Sequence, residues 1–355
     1  MGSPFYPFGS LSPYSNLLSS LAEPPVPPPS SQYTLLGLQY GALPVSPAVS
    51  LLSQPTQPVQ RWLHVRGRFK TFINNLAITP GQLEDGNKKQ AGVRACLNRH
   101  YYEISSETEN SRLIGSWGKL TRVRPSRDVD ILFLLPDSVY WRYQARTGNR
   151  QSDLLQELKN VLLGTYSQTS MRGDGQVVDI PFNQTPVEVS PGFLCTDGSV
   201  LVCDTNNGGR YMFSTAAAEE ASLSASDTFC IGNTRALARM MKQWQRDNNV
   251  PLKSFQIERL AVEFLATWDN RQRDHFWYDW MVRDFLAYLC SRANTYIYMP
   301  GTNEMVWLGS EWLSRAQTAY GRALKACEYE DGNYEIHAGE QWQFIFGSAI
   351  PMRSS

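Results

Sequence analysis

The sequence predicts an α+β protein in which a mixed-sheet lobe is followed by a helical lobe, with a cleft between them. Three observations carry this expectation. Short, strand-like apolar segments crowd the middle of the chain: "RLI", "DVDILFLLP", "GQVVDIPF", "TPVEVS" and "GSVLVC". Helical periodicity precedes them and dominates from about residue 215 onward. At 355 residues the chain is long enough to bury a sizeable core, as one large domain or two lobes.

Taken in order, the first element is a Pro/Ser-rich, low-complexity tail over residues 1–58. Residues 1 to 60 hold 12 of the 21 prolines and no Lys or Arg, and Glu23 is their sole charge. Polyproline-type backbone of the "AEPPVPPPSSQ" kind joins neither a helix nor the middle of a sheet. The aromatic and aliphatic residues of "FYPFGSLSPYSNLL" and "YTLLGLQYGALPV" exceed what a linker needs, which leaves room for a protein partner of this tail. The next block, 59–215, is the expected mixed-sheet lobe. Trp62, Val65, Phe69, Phe72, Ile73 and Leu76 fall at helical spacing, so a helix should end near Leu76. A second opens with Thr79 as N-cap and Pro80 at the first helical position. The strands follow, interrupted by one helix in "QSDLLQELKNVLLGTY" with Leu154, Leu155, Leu158 and Leu162 on one face. Residues 216–355 form the expected helical lobe.

Charge and cysteine usage exclude several classes. Thirty-three basic residues balance 33 acidic ones, so the whole chain has no electrostatic footprint for duplex nucleic acid. The 6 cysteines show neither a C-x-x-C pair nor a framework spacing, which predicts reduced thiols, a cytoplasmic protein and no zinc site. No basic leader and no run of about 18 apolar residues occurs, so neither a signal peptide nor a membrane span is expected.

The chemistry concentrates in "LIGSWGKLTRVRPSRDVDILFLLP", residues 113 to 136. It is not a P-loop: Leu113 stands where the first glycine belongs, and Leu120 follows Lys119 where Ser or Thr is needed. What remains is Gly115-Ser116 at an expected strand-to-helix turn, then Asp128 and Asp130 opening the next strand. Alternate residues of a strand share a face, which puts the two carboxylates on one side, about 6 to 7 Å apart. Such a pair at the entry of a solvated edge strand is ordinary surface. Here Phe133, Leu134, Leu135 and Pro136 follow at once, marking a buried central strand, where unpaired charges are costly and a hard cation relieves them. A third acid on a neighbouring strand is open between Asp179 in "QVVDIPF" and Glu188 in "TPVEVSPGF", since both alternate with apolar neighbours.

Gly-Ser, eleven residues, Asp-x-Asp and a later third acid together resemble the polymerase-beta-like nucleotidyltransferases. More narrowly, the stretch resembles the cyclic-oligonucleotide synthases of bacterial anti-phage signalling, relatives of oligoadenylate synthase and cyclic GMP-AMP synthase. The likeness takes in "RGDGQVVDIPF", "TPVEVSPGF", "CDTNNGGRYM", "ALARMMKQWQRDNNVPLKSFQIERLAVEFL" and "EQWQFIFG", roughly residues 60 to 350. It implies a polymerase-beta-like catalytic lobe with its active site against the C-terminal helical lobe. It points to Glu188 as the third acid, with Glu in place of the more usual Asp, and leaves Asp179 as the fallback. It further implies that Asp128, Asp130 and Glu188 hold two Mg2+ ions, with Mn2+ as the other choice, for attack of a ribose hydroxyl on an α-phosphate. By the same resemblance Gly115 and Ser116 cradle the β- and γ-phosphates, and Lys242 and Ser254 bind the triphosphate. From the residues alone, Lys242 is a charge lying off the Leu237/Met241/Trp244 stripe and Ser254 is a helix cap.

The expected activity is synthesis of a cyclic di- or oligonucleotide from nucleoside triphosphates (ATP, GTP, UTP or CTP). The competing readings are a template-independent nucleotidyltransferase that elongates RNA or adenylylates a small molecule or protein, and a catalytically weak nucleotide-binding scaffold. No Lys/Arg run or zinc-ribbon spacing marks a duplex-binding surface, so no obligatory nucleic acid activator is expected. "RGDG" is expected to be a turn between strands.

Overall fold

The computed structural model of the protein describes residues 61–125, 128–302 and 304–354; the tail, 1–58, lies outside them. Two helices come first, α1 (Val65–Leu76) and α2 (Pro80–Tyr102). β1 (Ser111–Leu113) runs into a single helical turn, α3 (Gly115–Gly118), followed by β2 (Val129–Leu134). Helices α4 (Asp137–Gln144) and α5 (Arg150–Leu163) precede β3 (Arg172–Asp174), β4 (Val177–Ile180), β5 (Val187–Leu194), β6 (Val200–Asp204) and β7 (Arg210–Phe213). The remainder is helical: α6 (Ala216–Phe229), α7 (Asn233–Asp247), α8 (Ser254–Thr267), α9 (Tyr278–Ser291), α10 (Leu313–Asp331) and α11 (Glu335–Phe346). A small antiparallel hairpin, β8 (Tyr296–Tyr298) with β9 (Met305–Trp307), stands between α9 and α10.

Among the described residues β1 to β7 form one mixed sheet. β2 and β5 run parallel and the other pairings are antiparallel. β5 pairs with β4 through Val187–Val189 and with β6 from Gly192 onward. Pro191, which has no amide hydrogen to give, falls where β5 changes partner, a position at which a strand tolerates proline.

The sheet's two faces differ, and that difference orients the site. Val129, Ile131 and Phe133 of β2 are fully buried in a core with Val187 and Val189 of β5, Val93 and Leu97 of α2, and Leu154, Leu158 and Leu162 of α5. Emptying one such position, Phe133→Ala, should cost about 3–5 kcal/mol. Because side chains alternate, burying these residues on the α2/α5 side turns Asp128 and Asp130 to the opposite side. A second core gathers α7, α8, α9, α10 and α11.

The expected helix boundaries hold at α1 and α2. Thr79 caps α2 in a reciprocal capping box with Gln82, and Pro80 occupies the first helical position. The "RGDG" stretch, expected to be a turn, is instead mostly strand: Arg172–Asp174 form β3 and pair with β4, and only Gly175, at φ +57°, lies in the turn that joins them. Helix α4, strand β7 and the β8–β9 hairpin were not expected. α4 spans only 8 residues with Val139 and Tyr143 inward, too few turns to give a helical period. α1 also behaves differently from its place in the chain. Its stripe of Val65, Phe69, Phe72 and Leu76 packs into the helical core, and Arg68, fully buried, bonds Glu330 at 2.8 Å and the Pro351 and Glu335 carbonyls. We keep the division at residue 215 as a proposal, with α1 counted among the helices it packs on.

Candidate active site

Asp130 of β2 and Glu188 of β5 are register partners on adjacent parallel strands, which puts their side chains on the same face of the sheet. Asp128, two residues before Asp130, joins them. Each of the three offers a carboxylate oxygen, and these oxygens lie within 4.8 Å of one another. Asp179 of β4 is the register partner of Glu188 on its other side, but among the described residues it is not part of this cluster. The like charges leave a trace. Burial, with Asp128 and Glu188 alongside, pushes the Asp130 carboxyl up to about 7, although Lys119 and the Ser116 amide oppose the shift. Half-buried acidic oxygens this close suit a hard divalent cation, which would remove the repulsion that raises Asp130.

The glycine-serine turn is fixed against this cluster by two close approaches. Gly115 has φ +56°, and a Cβ placed there would lie 1.9 Å from Asp130 Oδ2. Glycine is therefore required both for the backbone angle and for contact with the carboxylate. Trp117, 2 % exposed, seats its indole on α2 where Gly86 leaves a gap; a Cβ on Gly86 would meet the ring at 2.3 Å. Ile114 donates its amide to the Asp130 carbonyl at 2.9 Å, so turn and strand move as one piece.

A cavity of about 330 Å³ opens beside the acids. It is lined by six of the seven residues expected from the sequence: Gly115, Ser116, Asp128, Asp130, Lys242 and Ser254. The seventh, Glu188, reaches the site through the carboxylate cluster. Ser254 is the first residue of α8 and Lys253 its N-cap, so the expectation of a bare serine cap is off by one position.

Lys242 differs from expectation more. Expected off the buried stripe as a triphosphate ligand, it does line the cavity, but it is itself only 9 % exposed and its ammonium is held by Glu258 and Thr121. Glu258 also takes Lys119 at 2.5 Å and accepts the Thr121 hydroxyl. Lys119 in turn bonds Glu219 at 2.9 Å. Sequence reasoning met Lys119 only in rejecting a P-loop and missed Glu258 and Glu219. The available signal was spacing: Glu258 follows Ser254 by four residues, on the same face of α8. A second cavity, of about 400 Å³, shares Gly115, Lys119, Asp130 and Phe255 with the first and extends over Gln176, Ser190 and Met212.

Residues 63–226 match the model of the Second Messenger Oligonucleotide or Dinucleotide Synthetase domain. This stretch is a synthetase domain of that family. The match agrees with the resemblance to cyclic-oligonucleotide synthases that the sequence carries. Solved structures agree on the fold. CdnC of E. coli MS115-1, solved with ATP, is 14% identical over 81% of this chain and 99% of its own, with a TM-score of 0.57. The di-nucleotide cyclase DncV of Vibrio cholerae is 13% identical in two structures. One is a variant with two aspartates changed to alanine, at a TM-score of 0.58 over 81% of this chain and 88% of its own. The other holds the linear intermediate 5′-pppA(3′,5′)pG, at 0.56 over 81% and 87%. No curated protein sequence matches the chain, so the synthetase-domain match and the fold carry the assignment. No helix among the described residues is long and apolar enough to cross a membrane.

Proposed function

We propose that this protein condenses nucleoside triphosphates into a cyclic di- or oligonucleotide second messenger, in signalling of the anti-phage type. The observation that carries the reading is the acidic cluster of Asp128, Asp130 and Glu188 against the Gly115-Ser116 turn, inside a synthetase domain. Bound by these carboxylates, two magnesium ions, or manganese, would acidify the attacking ribose hydroxyl and offset charge on the triphosphate. The chain's own groups supply the rest. Gly115 lets backbone approach the phosphates, Ser116 adds a hydroxyl, and Lys242 and Ser254 line the same cavity as cation and donor. Glu188 would accept the hydroxyl proton. Two cavities meeting at Asp130 offer room for a donor and an acceptor nucleotide, as joining two nucleotides requires.

The test is to incubate the protein with each labelled triphosphate and magnesium, then treat the products with phosphatase. Phosphatase-resistant product, lost in Asp128→Ala and Asp130→Ala, is the expected result. Phosphatase-sensitive oligomers would point to an elongating nucleotidyltransferase, and absence of any product to a nucleotide-binding scaffold. With equal numbers of acidic and basic residues, 33 each, the rate should be unmoved by duplex DNA or RNA at moderate salt.

A further inference from the structure

We propose that Glu258 is a positioning residue for nucleotide binding: it holds Lys242 and Lys119 together at the phosphate end of the cleft and ties them to the loop after the glycine-serine turn. The proposal rests on the nucleotidyl-transfer reading above.

Glu258 is 4 % exposed and stands on α8, one turn beyond Ser254. One of its oxygens accepts from Lys242 Nζ and from the Thr121 hydroxyl; the other pairs with Lys119 Nζ at 2.5 Å. Thr121 is fully buried and accepts from Lys242 Nζ at its own hydroxyl, 2.9 Å away, and at its carbonyl, 3.3 Å away. Glu219 of α6 takes a second bond from Lys119. The groups thus come from four places: the loop carrying Lys119 and Thr121, and helices α6, α7 and α8. Glu258 is the member that touches three of the others.

Three features argue for positioning rather than stability alone. First, Lys119, Thr121, Lys242 and Glu258 all line the cavity that contains Gly115, Ser116 and the aspartates, so displacement of either ammonium changes what a phosphate meets. Second, a lysine side chain carries a point charge on a long flexible stem, and only fixed partners define where that charge sits. The Lys242 ammonium has three N–H donors and meets three oxygens, those of Glu258 and Thr121, which fixes its direction. Third, the charges balance locally. Glu258 and Glu219 offset Lys119 and Lys242, so both ammonium groups stay inside the protein without the cost of an unpaired buried charge. Loss of Glu258 leaves Lys242 with no carboxylate among its bonded partners and Lys119 with Glu219 alone.

The measurement is the affinity of non-hydrolysable ATP and GTP, and of the matching monophosphates, for the wild type, Glu258→Gln, Lys242→Met and the double variant. Glu258→Gln should weaken the triphosphate by at least about tenfold, the scale of a charged hydrogen bond, while the monophosphate changes less than about twofold. Because Glu258 acts through Lys242 as well as Lys119, the double variant should lose less triphosphate affinity than the two single losses added together. Should Glu258→Gln not fold, Thr121→Val removes the shared hydroxyl without stranding a charge and should give a smaller loss of the same triphosphate-selective kind. Equal or tighter triphosphate binding by the folded variant overturns the proposal. So does a loss shared equally by the monophosphates, or losses that simply add in the double variant. A wild type that binds no nucleoside triphosphate at all defeats the underlying functional reading instead.

Discussion

On the sheet wall of the cleft three carboxylates meet because neighbouring strands hold them in register, whereas toward the helical wall a lysine of α7 and one of the loop after the turn meet because one glutamate of α8 reaches both. The first group is unbalanced: like charges crowd together and one of them is driven to hold its proton up to about pH 7. The second is balanced, with Glu258 held below the ordinary carboxylate range because Lys242 and Lys119 outweigh its burial. An unbalanced cluster waits for a ligand to supply the opposite charge. A balanced one has no such need and serves as scaffold for its members.

That contrast can be broken most severely on the sheet wall. Asp130→Ala should abolish product formation, a loss of at least about 10³-fold, while nucleotide binding measured without magnesium changes little. Glu188→Gln should fall in the same range, whereas Asp179→Asn, outside the cluster, should stay within about threefold. Equal losses at Glu188 and Asp179 would erase the distinction that register creates between them.

Gly115→Ala tests the turn itself. Its added methyl meets Asp130 at a backbone angle that alanine adopts poorly, so it should cost about 1–3 kcal/mol in stability and take most of the activity with it, as thermal melting and product assay would report.

The smallest effect concerns a carboxyl that neither wall uses. Asp279 of α9 is 1 % exposed, its oxygens have no well-formed hydrogen-bond partner, and burial raises it to about 7 against the opposing Trp280 amide. A folded-state pKa above the unfolded one means stability is fullest below about pH 4 for this group and is lost as pH climbs to about 7. Asp279→Asn should remove that slope, raising the melting temperature at pH 8 relative to wild type by more than at pH 4.

Legibility followed the same divide. Asp128 and Asp130 could be read directly, because strand alternation is local and the apolar run beside them declared which face was buried. Glu188 required the family resemblance: register between β2 and β5 joins residues 58 positions apart, and Asp179 alternates just as well. Lys242 was found as a cleft lysine through the resemblance, but its burial was not legible, because no periodicity shows that a lysine beside an apolar stripe has a glutamate on the next helix to receive it. Glu258 was invisible for the same reason. Its helix shows a clear core face in Ile257, Leu260, Ala261 and Leu265, and the acid beside that face looks like any flank until α7 and the Lys119 loop are laid against it.

The packing of α1 carries a further consequence for how the molecule can be dissected. The chain contributes one helix to the helical core, leaves to build the sheet, and returns for the rest, so that core is discontinuous in sequence. A fragment beginning at residue 216 would lack the Phe69 and Phe72 wall and would strand Glu330 without Arg68. A fragment ending at residue 215 would carry α1 with its apolar stripe bare. Neither lobe is a cassette to be cut out between two points; the earliest described helix closes its core only after the last one has been made.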